Sequence, residues 1–430
     1  MHPIAEKLNH VIAQNHPEVW EMLSPFGKQL YFPKGIVSQS AEAALHAKRY
    51  NATIGMALEN GRVMCFDYAM DWMSGLDRNE IFPYAPTAGL PGLIDLWRKK
   101  QIRYNPAMAD LAIGKPIVTA AITHGLFIIS DLLVAPGDTI ILPDLYWGNY
   151  SLIFKERRGA EIKSFSLFNH QSFNLKAFQN TLQESQASKL VIILNFPNNP
   201  TGYTPTDQEM HSIRDIILEK AQTTRIVVIC DDAYFGLFYR DGLFTQSPFC
   251  LLANAHPNIL AVKLDAGTKE EYIWGLRVGF ITLGIQGGTP DLYLALQEKI
   301  KGAIRSSVSN NPMISQSILK KILEHPDYIK LKEEKFQILK KRALKTQQVA
   351  SNPKYEALWD VLPFNSGYFM CLKLKTVNAE KLRLHLLHQF GIGTISINDQ
   401  VMRIAFSNIE ESQLEELFNL IAQAIGETVE

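Results

Sequence analysis

Between about Asn105 and Leu283 the chain carries a series of strand-length apolar runs, Thr139–Leu142, Leu190–Asn195, Ile226–Cys230, Leu260–Leu264 and Val278–Leu283, most of them separated by segments of helical period. Runs this continuously apolar belong to strands buried on both faces, which is how a mainly parallel sheet covered by helices reads in sequence. That pattern constrains the fold more than any other feature: the chain needs an α/β domain with its sheet sandwiched by helices. One connecting helix has a clear start, because Thr206 followed by Glu209 makes a capping box ahead of the helically spaced Met210, Ile213, Ile216 and Ile217. From Ser315 onward the pattern changes to a long charged helix, a strand at Tyr368–Leu374, a helix near Ala379–Phe390, a strand at Val401–Phe406 and a closing helix. The closing helix is expected to be capped by Asn408 with Glu411 and to run amphipathically through Leu414, Leu417, Ile421 and Ile425. This is a smaller α+β domain. The expected division is an N-terminal arm or small-domain part over residues 1–50, a large domain over 51–314 and a small C-terminal domain over 315–430. A chain of 430 residues is also too long for one simple core. In the arm, Val11, Ile12, Val19, Met22 and Leu23 offer apolar anchors either for a partner subunit or for the arm's own domain.

Charge and cysteine usage narrow the partners. Lys plus Arg and Asp plus Glu both total 43, so net charge gives no argument for a nucleic-acid or membrane partner. The four cysteines, Cys65, Cys230, Cys250 and Cys371, form no CxxC pair and sit in apolar company, as buried reduced thiols do. Met1–His10 lacks a basic segment followed by an apolar stretch, and the most apolar later window, Leu126–Ala135, is broken by Asp131, so the cytoplasm is the expected location. His385 and His388 could share a helix face, but with no third ligand they read as a solvated pair, and no metal is expected. The basic run Lys332–Lys345 reads as an amphipathic helix with one solvated face. Neither a dinucleotide fingerprint nor a phosphate-loop lysine motif occurs.

Three polar sites follow three of the buried strands: Asn199 after Leu190–Asn195, Asp231 after Ile226–Cys230, and Lys269 after Leu260–Leu264. Open α/β sheets bind ligands beyond the carboxyl ends of their strands, so the three can converge on one crevice. Taken singly, each could equally be a loop turn, a helix cap or a solvated residue. The surrounding sequences are Asn195-Phe-Pro-Asn-Asn-Pro-Thr-Gly202, Asp231-Asp-Ala-Tyr234, and Thr268-Lys269 followed by Trp274-Gly-Leu-Arg-Val-Gly279. In order and spacing these resemble the fold-type I pyridoxal-phosphate-dependent aminotransferases, class I and II, over roughly Gly55 to Phe406.

The resemblance implies a catalytic set. Lys269 would hold pyridoxal 5'-phosphate as a Schiff base and, once freed, carry a proton between the substrate Cα and the cofactor. Asp231 would keep the pyridine nitrogen protonated so that the ring accepts electrons, while Tyr234 and Asn199 would bond its phenolic oxygen. The resemblance also makes Asn199-Pro200 a cis bond and leaves Asp232 a structural role. Trp147 would stack on the ring. Gly125 and Leu126, opening a helix expected over Phe127–Val134, would cradle the phosphate with Arg277, and Tyr84 would reach it from a neighbouring subunit of a homodimer. A hydroxyl residue commonly stands three positions before the lysine. This chain has Ala266 there, leaving Thr268 or His124 to compensate.

For the substrate, the resemblance makes Arg403 the bidentate partner of the α-carboxylate and Arg305 of the neighbouring subunit the partner of a side-chain carboxylate, with Gly55 and Ala57 lending backbone nearby. The implied activity is transfer of an amino group between an L-amino acid, of aspartate or glutamate type, and a 2-oxo acid. The same apparatus serves lyases and decarboxylases, and a sensing domain can bind the cofactor without turnover. Glu270 and Glu271, next to Lys269, have no assignment by the resemblance and read as solvated.

Overall fold

The computed structural model describes residues 1–31 and 35–429; residues 32–34 of the arm and residue 430 lie outside the description. Seven strands make the central sheet: β1 (Ile117–Thr119), β2 (Thr139–Pro143), β3 (Glu161–Phe165), β4 (Lys189–Asn195), β5 (Arg225–Asp231), β6 (Ile259–Ala266) and β7 (Gly279–Gly284). Their order across the sheet is β1-β7-β6-β5-β4-β2-β3. β6, β5, β4, β2 and β3 pair in parallel, and β7 runs against both of its neighbours. The five apolar runs became β2, β4, β5, β6 and β7. β1 and β3 were not expected: β1 has only three residues, and β3 exposes most of its positions, so neither leaves a continuous apolar signature. The sheet is an α/β sandwich, as expected, with separate apolar clusters on its two faces.

A second sheet of four antiparallel strands, Trp359–Val361, Phe369–Leu374, Val401–Ala405 and Ile395–Ser396, carries the α+β part. The helices Tyr328–Ala350, Ala379–Phe390 and Leu414–Val429 accompany it. The capping box at Thr206 and Glu209 is present. The last helix starts later than expected, because the box is made by Glu410 and Gln413, while Asn408 instead donates to the carbonyls of Asn51 and Ile54. The strand pair Tyr50–Asn51 with Ile392–Gly393 crosses the expected cut at residue 50, and the Met313–Glu324 helix spans the cut at 314.

Behind the central sheet the structure corrects two readings of charge. Lys332 and Lys335, expected on a solvated helix face, turn inward to ion pairs with Glu271 and Glu59. Glu270 and Glu271, read as solvated, are buried. Asp232 is buried against Lys263. All four cysteines are free thiols, three buried and Cys65 half-buried. Among the described residues no group of His, Cys, Asp and Glu is arranged to hold a metal, and no helix is long and apolar enough to cross a membrane.

Candidate active site

The carboxyl ends of β4, β5 and β6 open into a cavity of about 350 Å³. After β4 the chain turns, with cis peptide bonds at Phe196-Pro197 and Asn199-Pro200, and Asn199 lies on the cavity wall. After β6 the helix Gly267–Glu270 makes a single turn and presents Lys269 from the neighbouring wall. Of the residues expected at the site, Lys269, Asp231, Tyr234, Asn199, Thr268, Arg277, Trp147, Arg403 and Gly55 line this one cavity.

Lys269 sits in an environment that favours its free amine. Burial pushes it down to about 8, against the attraction of Asp231 and with the help of Arg277. Its ammonium lies 4.8 Å from the centre of the Tyr234 ring. Asp231, at the end of β5, is only 2% exposed. Its Oδ2 accepts from the Tyr150 hydroxyl at 2.7 Å and its Oδ1 from the Ala233 amide at 3.1 Å. Burial still raises its carboxyl, so these two bonds do not fully offset desolvation, and a cationic partner in the cavity would be stabilising.

Arg403 stands in the Val401–Ala405 strand and is 1% exposed. Its Nη1 donates to Asn199 Oδ1 at 3.0 Å and its Nη2 to the Thr53 carbonyl at 2.6 Å, with the guanidinium 4.1 Å from the Phe369 ring centre. Nε has no partner, and burial pushes the guanidinium down to about 10. A buried guanidinium held by neutral acceptors alone is arranged to take a carboxylate.

The expected cofactor's phosphate would meet a different stretch of helix from the one anticipated. The helix runs Ala121–Leu133 rather than from Phe127, and Ala121, Ile122 and Thr123 of its first turn line the cavity with no side chain capping them. The early start follows from Ala121, whose φ of 64° turns the chain directly out of β1; a Cβ at Gly279 would lie 2.7 Å from the Ala121 Cα, so glycine there permits the approach. Gly125 and Leu126 lie a turn deeper. A Cβ on Gly125 would meet Leu264 at 3.1 Å, so this position faces the sheet, and Leu126 is fully buried. Ala57 likewise belongs to the core, 0% exposed and away from the cavity.

The buried hydroxyl of Thr268 lines the cavity with no partner, whereas His124 is engaged by the Ala120 amide and Ser307 outside it. Of the two residues considered for the role vacated at Ala266, Thr268 has the free oxygen. An uncapped first helical turn, Arg277 exposed on the wall, this orphan hydroxyl and the pair of Lys269 with Asp231 together fit a phosphate-bearing aldehyde with a ring nitrogen. Trp147 stands edge-on to Tyr150, with ring centres 5.6 Å apart.

Two further expected residues, beyond Gly125, Leu126 and Ala57, lie outside this chain's cavity. Tyr84 is 89% exposed, and Arg305 is exposed on the Pro290–Ser307 helix, bonded to Ser309 Oγ at 2.7 Å. Sequence reasoning missed Tyr150, Asn195, Thr53 and Phe369, together with Ile36 and Ser40 from the arm. Tyr150 carried a usable signal, an aromatic three positions beyond Trp147, where a turn closes from the Tyr150 amide to the Trp147 carbonyl at 3.0 Å. Nothing local distinguished the others.

A family model for aminotransferase class I and II matches residues 76–421. The chain is similar to a probable aspartate/prephenate aminotransferase of Aquifex aeolicus, 24% identical over 362 residues, or 80% of this chain and 84% of that protein. It is 30% identical over 210 residues to an aspartate aminotransferase of Musicola paradisiaca, a match spanning 47% of this chain and about half of that enzyme, 48%. In fold it resembles the crystal structure of an aminotransferase from Anaerococcus prevotii, with a TM-score of 0.81 at 23% identity, covering 95% of this chain and 100% of that one.

Proposed function

Because the chain belongs to the aminotransferase class I and II family and is a pyridoxal-phosphate-dependent transaminase, we propose that it exchanges an amino group between a dicarboxylic L-amino acid of aspartate or glutamate type and a 2-oxo acid. The reading rests on one observation above the others: Lys269, Asp231 and Arg403 share a cavity in which each has an unmet need that the cofactor or the substrate answers.

When bound, pyridoxal phosphate supplies the carbonyl that takes up the amino group and the ring over which charge from the substrate Cα spreads. The chain's residues do the rest. Arg403 grips the α-carboxylate and so fixes where Cα stands relative to Lys269 Nζ. Lys269, with its amine near 8, holds or releases a proton at neutral pH and moves it to and from Cα. Asp231, with Tyr150 and the Ala233 amide on its two oxygens, would hold a proton on the cofactor's ring nitrogen. Tyr234 and Asn199 would bond the ring's phenolic oxygen, Trp147 would pack on the ring, and the first turn of Ala121–Leu133 would hold the phosphate with Thr268 and Arg277. Ile36 and Ser40 from the arm help close the cavity against water.

The exposure of Tyr84 and Arg305 supports a homodimer in which each enters the partner's cavity, Arg305 to meet the side-chain carboxylate. A large unit around the central sheet and a smaller one around the antiparallel sheet is the accompanying domain division. A cytoplasmic enzyme agrees with the free thiols. The test is the absorbance of the purified holoenzyme with L-aspartate, L-glutamate and neutral amino acids in turn. A band change driven by the dicarboxylic donors and reversed by their 2-oxo acids supports the reading; a response to neutral donors alone removes the dicarboxylate claim.

A further inference from the structure

The turn that carries Lys269 has a second side. While the lysine faces the cavity, its two successors point away into a buried ionic cluster between the Pro91–Tyr104 helix and the Tyr328–Ala350 helix. Glu271 Oε1 accepts from Tyr328 Oη at 2.9 Å and Lys332 Nζ at 3.1 Å, and forms an ion pair with Lys100 Nζ at 3.0 Å. Glu270 pairs with Lys100 and stands 3.8 Å from Lys332. Both glutamates are at most 4% exposed, and Glu271 Oε2 has no partner. Around them stand Trp97 and Tyr104 from the first helix, and Asp265 with Lys263 and Asp232 from the strand ends. Burying charge beside a working lysine is costly unless it is matched, and here two glutamates meet two lysines, with burial raising the Glu270 carboxyl and lowering the Lys332 ammonium. Burial opposes the charge on Glu271, but Lys332 and Lys100 outweigh it and hold its carboxyl below the ordinary range.

We propose that Glu271, seconded by Glu270, is a positioning residue for Lys269: it clamps the lysine-bearing turn between the two helices and, through its balance with Lys100 and Lys332, keeps the field at Lys269 Nζ near neutral. The proposal rests on Lys269 being the cofactor lysine. The clamp reaches the lysine through a backbone of four residues, Gly267–Glu270, whose only helical bond beyond the turn is from the Glu271 amide to the Gly267 carbonyl. Asp231 and Arg277 act on Lys269 Nζ directly, and a charge removed from the cluster would add to their field with a sign set by that charge. Glu271→Gln leaves an ammonium in excess and lowers the pH at which Lys269 takes up a proton. Lys332→Met leaves a carboxylate in excess and raises it. The double variant restores the balance.

The experiment is a pH titration of the holoenzyme's long-wavelength absorbance, whose midpoint reports protonation at Lys269 Nζ, for the wild type, both single variants and the double. Opposite shifts of about half to one pH unit in the single variants, cancelling in the double, are expected. Equal midpoints in all four, or shifts of one sign, overturn the proposal while leaving the cofactor lysine in place, since a purely structural role would lower melting temperatures without a signed midpoint. A wild-type spectrum that Lys269→Ala leaves unchanged overturns the lysine assignment and the proposal with it. Should a single variant not fold, Tyr328→Phe removes a neutral donor from the same oxygen; a small upward shift supports the clamp, and none overturns it.

Discussion

The two sides of the Lys269 turn are built on opposite principles. On the cavity side polar groups are left short of partners: the Thr268 hydroxyl and the Arg403 Nε have none, and Asp231 is incompletely compensated. On the far side charges are matched almost one for one within the chain: Glu271 Oε1 gathers the Tyr328 hydroxyl and the Lys332 and Lys100 ammoniums, although Glu271 Oε2 and Asp265 Oδ1 have no hydrogen-bond partner. Unspent hydrogen-bonding capacity on the wall of a cavity is destabilising for an empty protein and marks where a ligand completes the structure. Matched charge away from any cavity marks scaffold. The contrast separates the residues that do chemistry from those that hold them still, although they are neighbours in sequence.

Substitutions on the cavity side break the contrast most severely. Lys269→Ala is expected to lower turnover by about 10³-fold or more, measured as kcat with the best amino donor, because both attachment and proton transfer are lost. Arg403→Ala follows, with kcat/KM falling by about 10²-fold as the α-carboxylate loses a buried bidentate partner; an effect below about fivefold would mean that the carboxylate is held elsewhere. Arg305→Ala is smaller and selective. It should raise KM for dicarboxylic substrates by about 10- to 100-fold and leave neutral ones nearly unchanged, and equal effects on both would remove its proposed role.

The smallest effect concerns stability. The amine of Lys269 in the folded apoprotein is pushed down to about 8, below its unfolded value, so the folded chain is penalised wherever that amine must carry its proton. The cost is full below about 8 and is relieved as the pH rises from there toward the ordinary lysine value, a window in which the unfolded chain binds more protons. Apoprotein Lys269→Met should therefore melt at a higher temperature than the wild type near pH 7, with the gap narrowing by pH 10. A gap independent of pH would show that the benefit comes from packing alone.

How much of this was legible in sequence follows the same division. The five buried strands announced themselves by continuous apolar runs, and the residues after their ends could be expected at one crevice because parallel sheets place ligands there. Lys269, Asp231 and Asn199 come together at the cavity on that logic, whereas Arg403, in the antiparallel sheet, was expected there only from the family resemblance. Positions set by backbone geometry were not legible: Ala121 with its positive φ moved the helix start ahead of Gly125, and no composition rule foretells an alanine there. The buried charges were misread for a different reason. Glu270, Glu271 and Lys332 are ordinary surface residues by type, and what buries them is a pairing across helices far apart in sequence.

The wall of the cavity at Thr53–Gly55 hangs on the far end of the chain. Tyr50 and Asn51 pair with Ile392 and Gly393, the Ala405 amide donates to the Ala52 carbonyl, and Arg403 and Asn408 hold the carbonyls of Thr53 and Ile54. During synthesis the central sheet has all its strands once β7 has emerged, yet this wall has nothing to close against until residue 408 has left the ribosome. The nascent chain thus carries an unroofed pocket from the emergence of β7 until residue 408 follows, and its capacity to hold substrate arrives all at once.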